Sequence, residues 1–361
     1  MRLLFQSHLR RSHLLPSLTD GPPGCKDELS FSHNQGIDCS KKALAIRQSR
    51  PVVLRLAPDY HEGEDEPSRE CAMPPSAEDL SPERTRQRDQ LLGILRSLGR
   101  CAVAFSGGID STVVARAAFE ALGDNAVAVT ADSPSVARAE LADARRLAAL
   151  IGIRHEVIST DEFSNPLYLQ NDGSRCFHCK DELYSQIESL LPRLGMNVIC
   201  SGANVDDAGD YRPGLKAAAE HHVRHPLQEA SLTKADVRRL ALHWGLPTWD
   251  KPASPCLSSR LAPGVAVTTE RTARIEAAEA YLRGLGLREC RVRLHENELA
   301  RLEVPVAEIA HLADAKVRHA LVIRLRELGF RYVTLDLEGF RTGSMNELIP
   351  LELKQRFASP S

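Results

Sequence analysis

The chain has 361 residues, which is enough for two domains that each bury a hydrophobic core. Its 46 lysines and arginines nearly balance its 48 aspartates and glutamates, and the formal net charge of -2 argues against a protein that coats nucleic acid or an anionic membrane. Nine cysteines lack the dense spacing of a secreted disulfide scaffold, and no apolar run approaches the length of about 18 residues needed to cross a bilayer. We therefore expect a cytoplasmic protein without membrane or nucleic-acid partners.

Residues 1–80 show little sustained periodicity and contain proline, glycine and acidic clusters. This composition predicts a disordered N-terminal extension. Ser81 followed by Pro82 then predicts the start of a helix, whose leucines lie on one face until Gly99.

From residue 101 onward, short apolar runs alternate with amphipathic segments. This alternation predicts an α/β fold with a parallel, doubly wound sheet covered by helices on both faces. Ligands of such sheets bind at the carboxyl ends of the strands. The predicted strands are 101–105, 126–131, 154–158 and 197–201, and the predicted helices lie near 111–122, 136–150, 177–191 and 233–244.

The alternation of apolar runs and amphipathic segments ends at an irregular stretch that extends to about residue 269. A helical pattern precedes two alternating segments, ECRVRLH and LARLEV, and a second helical pattern precedes RYVTLDL. This order predicts a smaller C-terminal α+β domain for substrate binding or oligomerisation. The predicted boundaries are 1–80 for the extension, 81–255 for the α/β domain and 256–361 for the C-terminal domain.

The segment SGGIDST at 106–112 ends the first apolar run and opens the next predicted helix. A strand–loop–helix junction collects free backbone N–H groups at the positive end of a helix dipole, which suits an anion. Gly107 and Gly108 would let the oxygens of a polyphosphate approach the main chain, and Ser106 and Ser111 would add hydroxyl donors. The segment is neither a Walker loop nor a dinucleotide fingerprint, because both motifs are missing.

The segment resembles the pyrophosphatase loop of the ATP pyrophosphatase (PP-loop) superfamily. The resemblance implies that the loop holds the β- and γ-phosphates of ATP while the α-phosphate is attacked, so that AMP is transferred and pyrophosphate leaves. It also implies an adenine nucleotide alpha hydrolase-like fold for 81–255, with ATP and Mg²⁺ as cofactors and Asp110 helping to hold Mg²⁺. The implied ATP- and pyrophosphate-binding residues are Ser106, Gly107, Gly108, Asp110, Ser111 and Thr112.

Three cysteines, Cys176, Cys179 and Cys256, lie in predicted loops or at a predicted helix start. The helix N-terminus, with Arg175 and Lys180 beside it, is expected to favour thiolates. Three thiolates can hold a [4Fe–4S] cluster and leave one iron open to a sulfide, which could attack an adenylated substrate. The alternatives are a cysteine that donates its own sulfur, a zinc site with a fourth ligand, and inert thiols.

Three further segments resemble the LarE family, the ATP-dependent sulfur transferases (sulfur insertases) of lactate racemase cofactor maturation. The segments are GDYRPGLKAA at 209–218, KPASPCLSSR at 251–260 and GFRYVTLDLEGFRTGSMNE at 329–347. The resemblance implies that the carboxylates of pyridinium-3,5-biscarboxylic acid mononucleotide are adenylated and then thiolated, one after the other. It further implies a sulfide source, a downstream nickel-insertion enzyme that gives the nickel-pincer nucleotide, and homo-oligomers.

Members of the LarE family differ in their sulfur source. Some sacrifice one cysteine sulfur and are left with dehydroalanine, whereas others carry three cysteines, bind a [4Fe–4S] cluster and can turn over. Cys176, Cys179 and Cys256 match the second type, and the resemblance makes them the implied catalytic residues and cluster ligands.

Other positions match the family by motif. Arg291 and Arg293 lie on one face of a predicted strand, where two guanidiniums suit a substrate phosphate. Glu279 is an implied metal contact. The implied substrate- or phosphate-binding residues are Ser259, Arg260, Arg291, Arg293, Glu303 and Arg212.

Three other functions remain open on the sequence. One is a non-catalytic regulator that binds a nucleotide or a metal, which pyrophosphate release dependent on the pyridinium substrate would exclude. A tRNA-thiolating PP-loop enzyme would need a broad basic surface and would shift bulk tRNA in a gel. An amide-forming ATP pyrophosphatase would explain the glycine loop, would leave the three cysteines idle and would show ammonia-dependent activity.

Overall fold

A computed structural model describes residues 80–207, 212–341 and 343–356. All of these residues belong to one compact unit, Ser68–Ser361. The predicted extension at 1–80 lies outside the described residues, apart from Leu80. None of the helices in the described part of the chain combines the length and the hydropathy that spanning a bilayer requires.

The helices and strands follow the predicted order. The α-helices are α1 (Pro82–Leu98), α2 (Ile109–Leu122), α3 (Arg138–Ile151), α4 (Pro166–Gln170), α5 (Arg175–Leu194), α6 (Pro213–Glu220), α7 (Pro226–Glu229), α8 (Lys234–His243), α9 (Thr269–Gly284), α10 (Ile309–Ala313), α11 (Ala315–Glu327) and α12 (Leu351–Arg356). The strands are β1 (Cys101–Ala104), β2 (Ala126–Asp132), β3 (Arg154–Ser159), β4 (Val198–Cys200), β5 (Arg291–His295), β6 (Leu299–Glu303) and β7 (Tyr332–Leu335).

The first sheet has the strand order β3-β2-β1-β4, and each pair of neighbours is parallel. Residues of the central strands β1 and β2 alternate between two buried faces, as a doubly wound sheet requires. Val103 and Ala128 pack in an apolar cluster with α1 and α2, whereas Ala102 and Val127 pack in another with α5. The predicted α/β fold is confirmed.

Local signals in the sequence set the helix ends. The Ser81 hydroxyl accepts a hydrogen bond from the Arg84 N–H at 3.4 Å, and Pro82 is the first helical residue of α1. Thr233 and Asp236 form the reciprocal capping box predicted at the start of α8. Two short helices, α4 and α7, were not predicted, and each begins with proline at its first position.

The second sheet has the order β5-β6-β7, with β5 antiparallel and β7 parallel to the central strand β6. Helices α9 and α11 contribute Ile275 and Leu321 to an apolar core that also contains Val292 and Leu302 of the strands. The predicted small α+β sheet is confirmed. The exact domain boundary at 255/256 stays a prediction, although this core draws its buried members from Leu257 onward.

Candidate active site

The phosphate loop, residues 106–112, joins β1 to α2 and is braced by its own hydroxyl groups. The Ser111 hydroxyl donates to the Gly108 carbonyl at 3.1 Å and accepts from the Ser106 N–H at 3.2 Å. The Thr112 hydroxyl donates to the same carbonyl at 2.8 Å. Helix α2 begins at Ile109, two residues earlier than predicted, so the first-turn N–H groups that lack intrahelical acceptors are available to an anion.

Gly107 is required by the protein as well as by a ligand. Its φ of +70° lies in the left-handed region that favours glycine. A Cβ atom at this position would lie 3.2 Å from the Cα atom of Ala144 on α3. The close approach of a ligand is therefore not the only reason for a glycine at position 107, because its backbone conformation and its contact with α3 also require one.

Asp110 in the first turn of α2 meets two segments that are distant in sequence. The Asn204 amide donates to its carboxylate at 3.0 Å, and the Lys234 ammonium forms an ion pair with its other oxygen. A Cβ atom on Gly202 would lie 2.7 Å from the Ser111 nitrogen, so the loop after β4 lies directly against the phosphate loop. Gly202, Asn204 and Lys234 are not among the predicted residues; the segment SGAN, directly after a predicted strand, was the available signal.

The three predicted cysteines come from two segments. Cys176 and Cys179 lie in the first two turns of α5, where Cys176 is exposed, and Cys256 directly precedes the 3₁₀ turn Leu257–Arg260. All three are free thiols.

Burial raises the pKa of the Cys179 thiol, and the charge of Cys256 raises it further. The charge of Lys180 lowers the pKa of Cys179, but burial and the charge of Cys256 outweigh this effect. The expectation that the helix N-terminus and its cations favour a thiolate is therefore wrong for Cys179, because desolvation dominates. The effect of Cys256 on the pKa of Cys179 also indicates that the two segments lie close together.

The Cys256 segment, residues 251–260, is tied to the carboxyl end of the first sheet. The Lys251 ammonium contacts Glu140 of α3 at 2.8 Å, and the Ser254 hydroxyl donates to the same carboxylate at 2.8 Å. The Leu257 N–H donates to the carbonyl of Ser135, which follows β2, at 2.8 Å. These bonds hold Cys256 near the end of the sheet where the phosphate loop lies.

A cavity of about 400 Å³ connects the two features, because Ser106 of the phosphate loop and Cys256 both line it. Cys176 and Cys179 are not among its lining residues. Charged groups surround the rest of the cavity. They include Glu140, Lys251, Arg260, Glu279, Arg288 and Arg291.

A predicted substrate residue, Arg260, and a predicted metal contact, Glu279, form a buried ion pair on one wall. The Arg260 guanidinium donates to both carboxylate oxygens of Glu279, at 2.9 and 3.2 Å, and both side chains are almost fully buried. Arg260 also bonds the carbonyls of Pro255 and Cys256, so it holds the chain on both sides of the sulfur. The Glu279 carboxylate is already engaged by Arg260. The implied metal contact of Glu279 stays a prediction.

A second buried network lies on the small sheet. The Arg293 guanidinium contacts Glu303 at 2.8 Å, and Arg301 and the Ser344 hydroxyl reach the other oxygen of this carboxylate at 3.0 and 2.8 Å. Arg293 also donates to the Ser259 carbonyl at 3.2 Å, which links the network to the Cys256 segment.

Arg291 and Arg212 do not belong to these buried Arg–Glu networks. Arg291 donates to the carbonyls of Cys290 and Ala253 and stacks on Phe340, and burial lowers its pKa. Its charge has no carboxylate within ion-pairing distance among the described residues, which makes it the better placed of the two strand arginines for a phosphate. Arg212 is exposed and pairs with Asp207 at 2.7 Å.

Known proteins resemble the chain over most of this architecture. The sequence model of the NAD synthase family matches residues 97–204, which include the phosphate loop. An uncharacterized protein of Synechocystis is 46% identical over 70% of this chain and 94% of its own length. The pyridinium-3,5-bisthiocarboxylic acid mononucleotide synthase of Lactiplantibacillus plantarum is 42% identical over 72% of this chain and 93% of its own length. The chain belongs to the LarE family.

A more distant relative places the LarE family among related enzymes. The tRNA-specific 2-thiouridylase MnmA of Azorhizobium caulinodans is 30% identical over 50% of this chain and 56% of its own length. The LarE-family assignment confirms the predictions of a PP-loop fold, of ATP use and of an enzyme that transfers sulfur. The individual site residues stay predictions.

The LarE family implies a [4Fe–4S] cluster for chains with three cysteines, and the geometry can be compared with that requirement. Within the described ranges, no group of three or more His, Cys, Asp or Glu side chains is arranged to hold a metal ion. The three thiols do not fit a cluster in this arrangement.

Proposed function

We propose that the chain adenylates the carboxylates of pyridinium-3,5-biscarboxylic acid mononucleotide and replaces the activated oxygen of each by sulfur. The observation that carries this proposal is the shared cavity, in which Ser106 of the phosphate loop and Cys256 face the same space. The name of the Lactiplantibacillus plantarum relative, which describes the bisthiocarboxylic product, supports the choice of substrate.

In the first step, a substrate carboxylate oxygen attacks the α-phosphorus of ATP. The bond from that phosphorus to the bridging oxygen breaks, and pyrophosphate leaves with the electron pair. The free N–H groups at the start of α2 and the nearby Lys234 ammonium are positioned to bind the negative charge of the leaving pyrophosphate. Mg²⁺, when bound, would neutralise phosphate charge beside Asp110.

In the second step, a sulfur nucleophile attacks the acyl carbon, and AMP leaves with its oxygen. If Cys256 itself is the donor, the product is first a thioester. Loss of the cysteine α-proton and cleavage of its Cβ–S bond then give the thiocarboxylate and dehydroalanine, which balances the reaction without an oxidant. If an external sulfide is the donor, the thiocarboxylate forms directly.

Recognition of the mononucleotide phosphate is assigned to the cationic wall of the cavity. Arg291 and Arg288 line it, and neither pairs with a carboxylate of the described residues. An unneutralised guanidinium can accept a phosphate in two parallel hydrogen bonds. Arg260 and Arg293 are better suited to holding the wall than to binding substrate, because Glu279 and Glu303 already occupy them.

The remaining parts of the proposal concern the sulfur source and the partners. Delivery through a [4Fe–4S] cluster on the three cysteines stays the sequence-based prediction, and it would require Cys176, Cys179 and Cys256 to converge further. Iron and sulfide analysis after anaerobic purification would detect a cluster, and a mass loss at Cys256 would detect a sacrificed sulfur. The thiolated product would pass to a nickel-inserting enzyme, and we expect the chain to form homo-oligomers.

The proposed function is tested by pyrophosphate release and product mass. Wild-type protein should release pyrophosphate from ATP only with the pyridinium mononucleotide, and the product should gain the mass difference of sulfur for oxygen. Asp110→Ala should abolish pyrophosphate release, while Asp124→Ala, an exposed aspartate outside the site, should not. Cys256→Ala should release pyrophosphate without thiolation. Substrate-independent ATP cleavage would contradict the proposed function, and thiolation by Cys256→Ala would contradict the assignment of the sulfur route to Cys256.

A further inference from the structure

Strand β7 forms one edge of the small sheet, whose order is β5-β6-β7. The opposite edge is paired with another segment of the chain, because the Leu294 carbonyl of β5 accepts a hydrogen bond from the Ala262 N–H at 2.9 Å. In the described part of the chain, no backbone hydrogen bond reaches β7 from the side away from β6. Tyr332 and Thr334 of β7 are exposed, so this open edge is accessible to another chain.

The backbone groups that face the open edge belong to Val333 and Leu335. The Asp336 N–H donates to the Leu302 carbonyl of β6 at 2.9 Å, which fixes the residues whose backbone faces β6. The backbone groups of successive strand residues point to opposite sides, so the N–H and C=O groups of residues 333 and 335 point away from β6. Unpaired edge groups of this kind are a template for a further strand.

The sequence of β7 lacks the charged residues and prolines that keep edge strands from pairing with another chain. Strand β3, an edge of the first sheet, contains Arg154 and Glu156, whereas Tyr332–Leu335 contains no charged residue and no proline. Leu337, just after β7, is 78% exposed. An uncharged edge strand beside an exposed leucine is typical of a surface that another chain covers.

We propose that the open edge of β7 is a dimer interface, at which β7 pairs antiparallel with β7 of a second copy of this chain. A two-fold axis at Thr334 places Val333 opposite Leu335 of the partner subunit. The same axis places Leu335 opposite Val333 of the partner subunit, so the outward backbone groups of the two strands satisfy one another. The small sheets of the two copies then form one continuous sheet.

The position of the axis follows from backbone bonds that are already made. An axis at Val333 would pair Leu335 with residue 331 of the second copy, but the Arg331 N–H already donates to the Glu298 carbonyl at 2.9 Å. An axis at Leu335 would pair Val333 with residue 337, which lies beyond the end of β7. Pairing about Thr334 therefore uses the free groups of β7 and no others.

Charge favours the antiparallel direction. The exposed Arg331 precedes β7, and Glu338, which is 76% exposed although it contacts Arg341 at 2.7 Å, follows it. Parallel pairing of two copies would bring like charges together at both ends of the strand. Antiparallel pairing instead brings Arg331 of each copy to the end of β7 that carries Glu338. The strand is thus complementary to itself in one direction only.

The first test is the mass of the full-length protein in solution, measured by light scattering without ATP or substrate. The wild type should have the mass of a dimer or of a multiple of a dimer. Thr334→Lys places two like charges at the axis and should halve this mass at micromolar protein. Thr269→Lys, at an exposed threonine of α9, is the control and should keep the wild-type mass. An unchanged far-ultraviolet circular dichroism spectrum would show that Thr334→Lys folds.

The second test reads the register and does not depend on the lysine variant. Directly opposite residues of a non-hydrogen-bonded antiparallel pair have Cα atoms about 4.5 Å apart, which a disulfide can span. Thr334→Cys, oxidised with copper phenanthroline, should therefore give a covalent dimer on a non-reducing gel. Tyr332→Cys is the matched control on the same face of β7, because its two copies would lie about 13 Å apart. The wild type gives the background from the native thiols.

A monomeric wild type would overturn the inference, as would an unchanged mass for Thr334→Lys or equal crosslinking of the two cysteine variants. The inference assigns a surface to the homo-oligomers expected under the proposed function, but it rests on no step of the proposed reaction. Sulfur transfer can therefore fail in its own assay while the interface is found, and the interface can fail while sulfur transfer is found.

Discussion

The phosphate loop and the small sheet use polar groups in opposite ways. In the loop, the hydroxyls of Ser111 and Thr112 satisfy a carbonyl of the loop itself, and the first-turn N–H groups of α2 are left for a ligand. In the small sheet, arginines and glutamates are buried and satisfy one another, as Arg293 and Glu303 do. The loop leaves N–H donors available to bind an anion, whereas the buried charges of the small sheet pair with one another and stabilise the fold.

This difference separates binding groups from framework groups among the predicted residues. A buried charge that loses its partner is costly, so a paired arginine such as Arg293 is not free to leave Glu303 for a substrate phosphate. The comparison predicts that changes in the small sheet reduce stability most, and that changes around the loop reduce ATP cleavage more than stability.

Glu303→Ala should give the largest loss of stability. It leaves the buried Arg293 guanidinium without its carboxylate and removes the acceptor of the Ser344 hydroxyl. We expect the free energy of unfolding to fall by about 3–5 kcal/mol, measured by urea denaturation. Glu338→Ala, which removes an exposed partner of Arg341, is the control and should change it by less than about 0.5 kcal/mol. A loss below about 1 kcal/mol for Glu303→Ala would instead favour a ligand role for this carboxylate.

Gly202→Ala should have an intermediate effect on stability and a large one on activity. The added Cβ would lie 2.7 Å from the Ser111 nitrogen, so the loop after β4 or the start of α2 must move. We expect about 1–3 kcal/mol of lost stability, the range for overpacking, together with a loss of pyrophosphate release of about 100-fold.

The matched control for that variant is Gly284→Ala, near the end of α9, where a Cβ atom meets nothing within 4 Å. It should preserve both stability and pyrophosphate release. Wild-type activity in Gly202→Ala would show that the loop tolerates displacement, and the view of a prearranged phosphate loop would be wrong.

The same comparison explains which parts of the molecule the sequence predicts. The central strands β1 and β2 of the first sheet are mostly apolar runs, and the glycine loop is contained in seven consecutive residues, so both can be recognised from local sequence. The Arg–Glu networks of the small sheet cannot be recognised from local sequence. Residues 291 and 293 alternate with apolar neighbours and suggest an exposed cationic face, but Glu303 of β6 is the ladder partner of Arg291 and neutralises Arg293 inside the sheet.

Distance along the chain limits the rest. Asn204 and Lys234 reach Asp110 across 94 and 124 residues, and only the folded sheet brings them together. Burial limits the prediction for Cys179 in the same way, because the number of neighbours that exclude water from the thiol is not visible in C-x-x-C spacing.

Lys234→Met sharpens the comparison on the loop side. The ion pair with Asp110 is partly exposed, so its loss should cost no more than about 1 kcal/mol of stability. Pyrophosphate release should nevertheless fall at least tenfold, because the cation lies beside the predicted phosphate site. Arg116→Met, which breaks a similarly exposed pair with Glu120 farther along α2, is the control and should leave release unchanged. Equal release rates for the two variants would remove Lys234 from the site.

The smallest expected effect is a pH dependence at His221, which belongs to neither region. His221 lies between Asp181 and Glu188 of α5, with ring nitrogens 3.0 Å from each carboxylate. Burial alone would lower the pKa of His221, but the two hydrogen bonds outweigh it and raise the pKa above its ordinary value.

A histidine with a raised pKa in the folded state stabilises fully below its unfolded pKa of about 6.5, and this contribution is lost as the pH rises through the folded pKa. His221→Gln should therefore reduce the free energy of unfolding at pH 6 by under about 1 kcal/mol, since both carboxylates are partly exposed, and by less at pH 9. The exposed His319→Gln serves as the control and should show no such difference between the two pH values. A larger loss at pH 9 than at pH 6 would mean that packing, rather than the charge of His221, joins α5 to the end of α6.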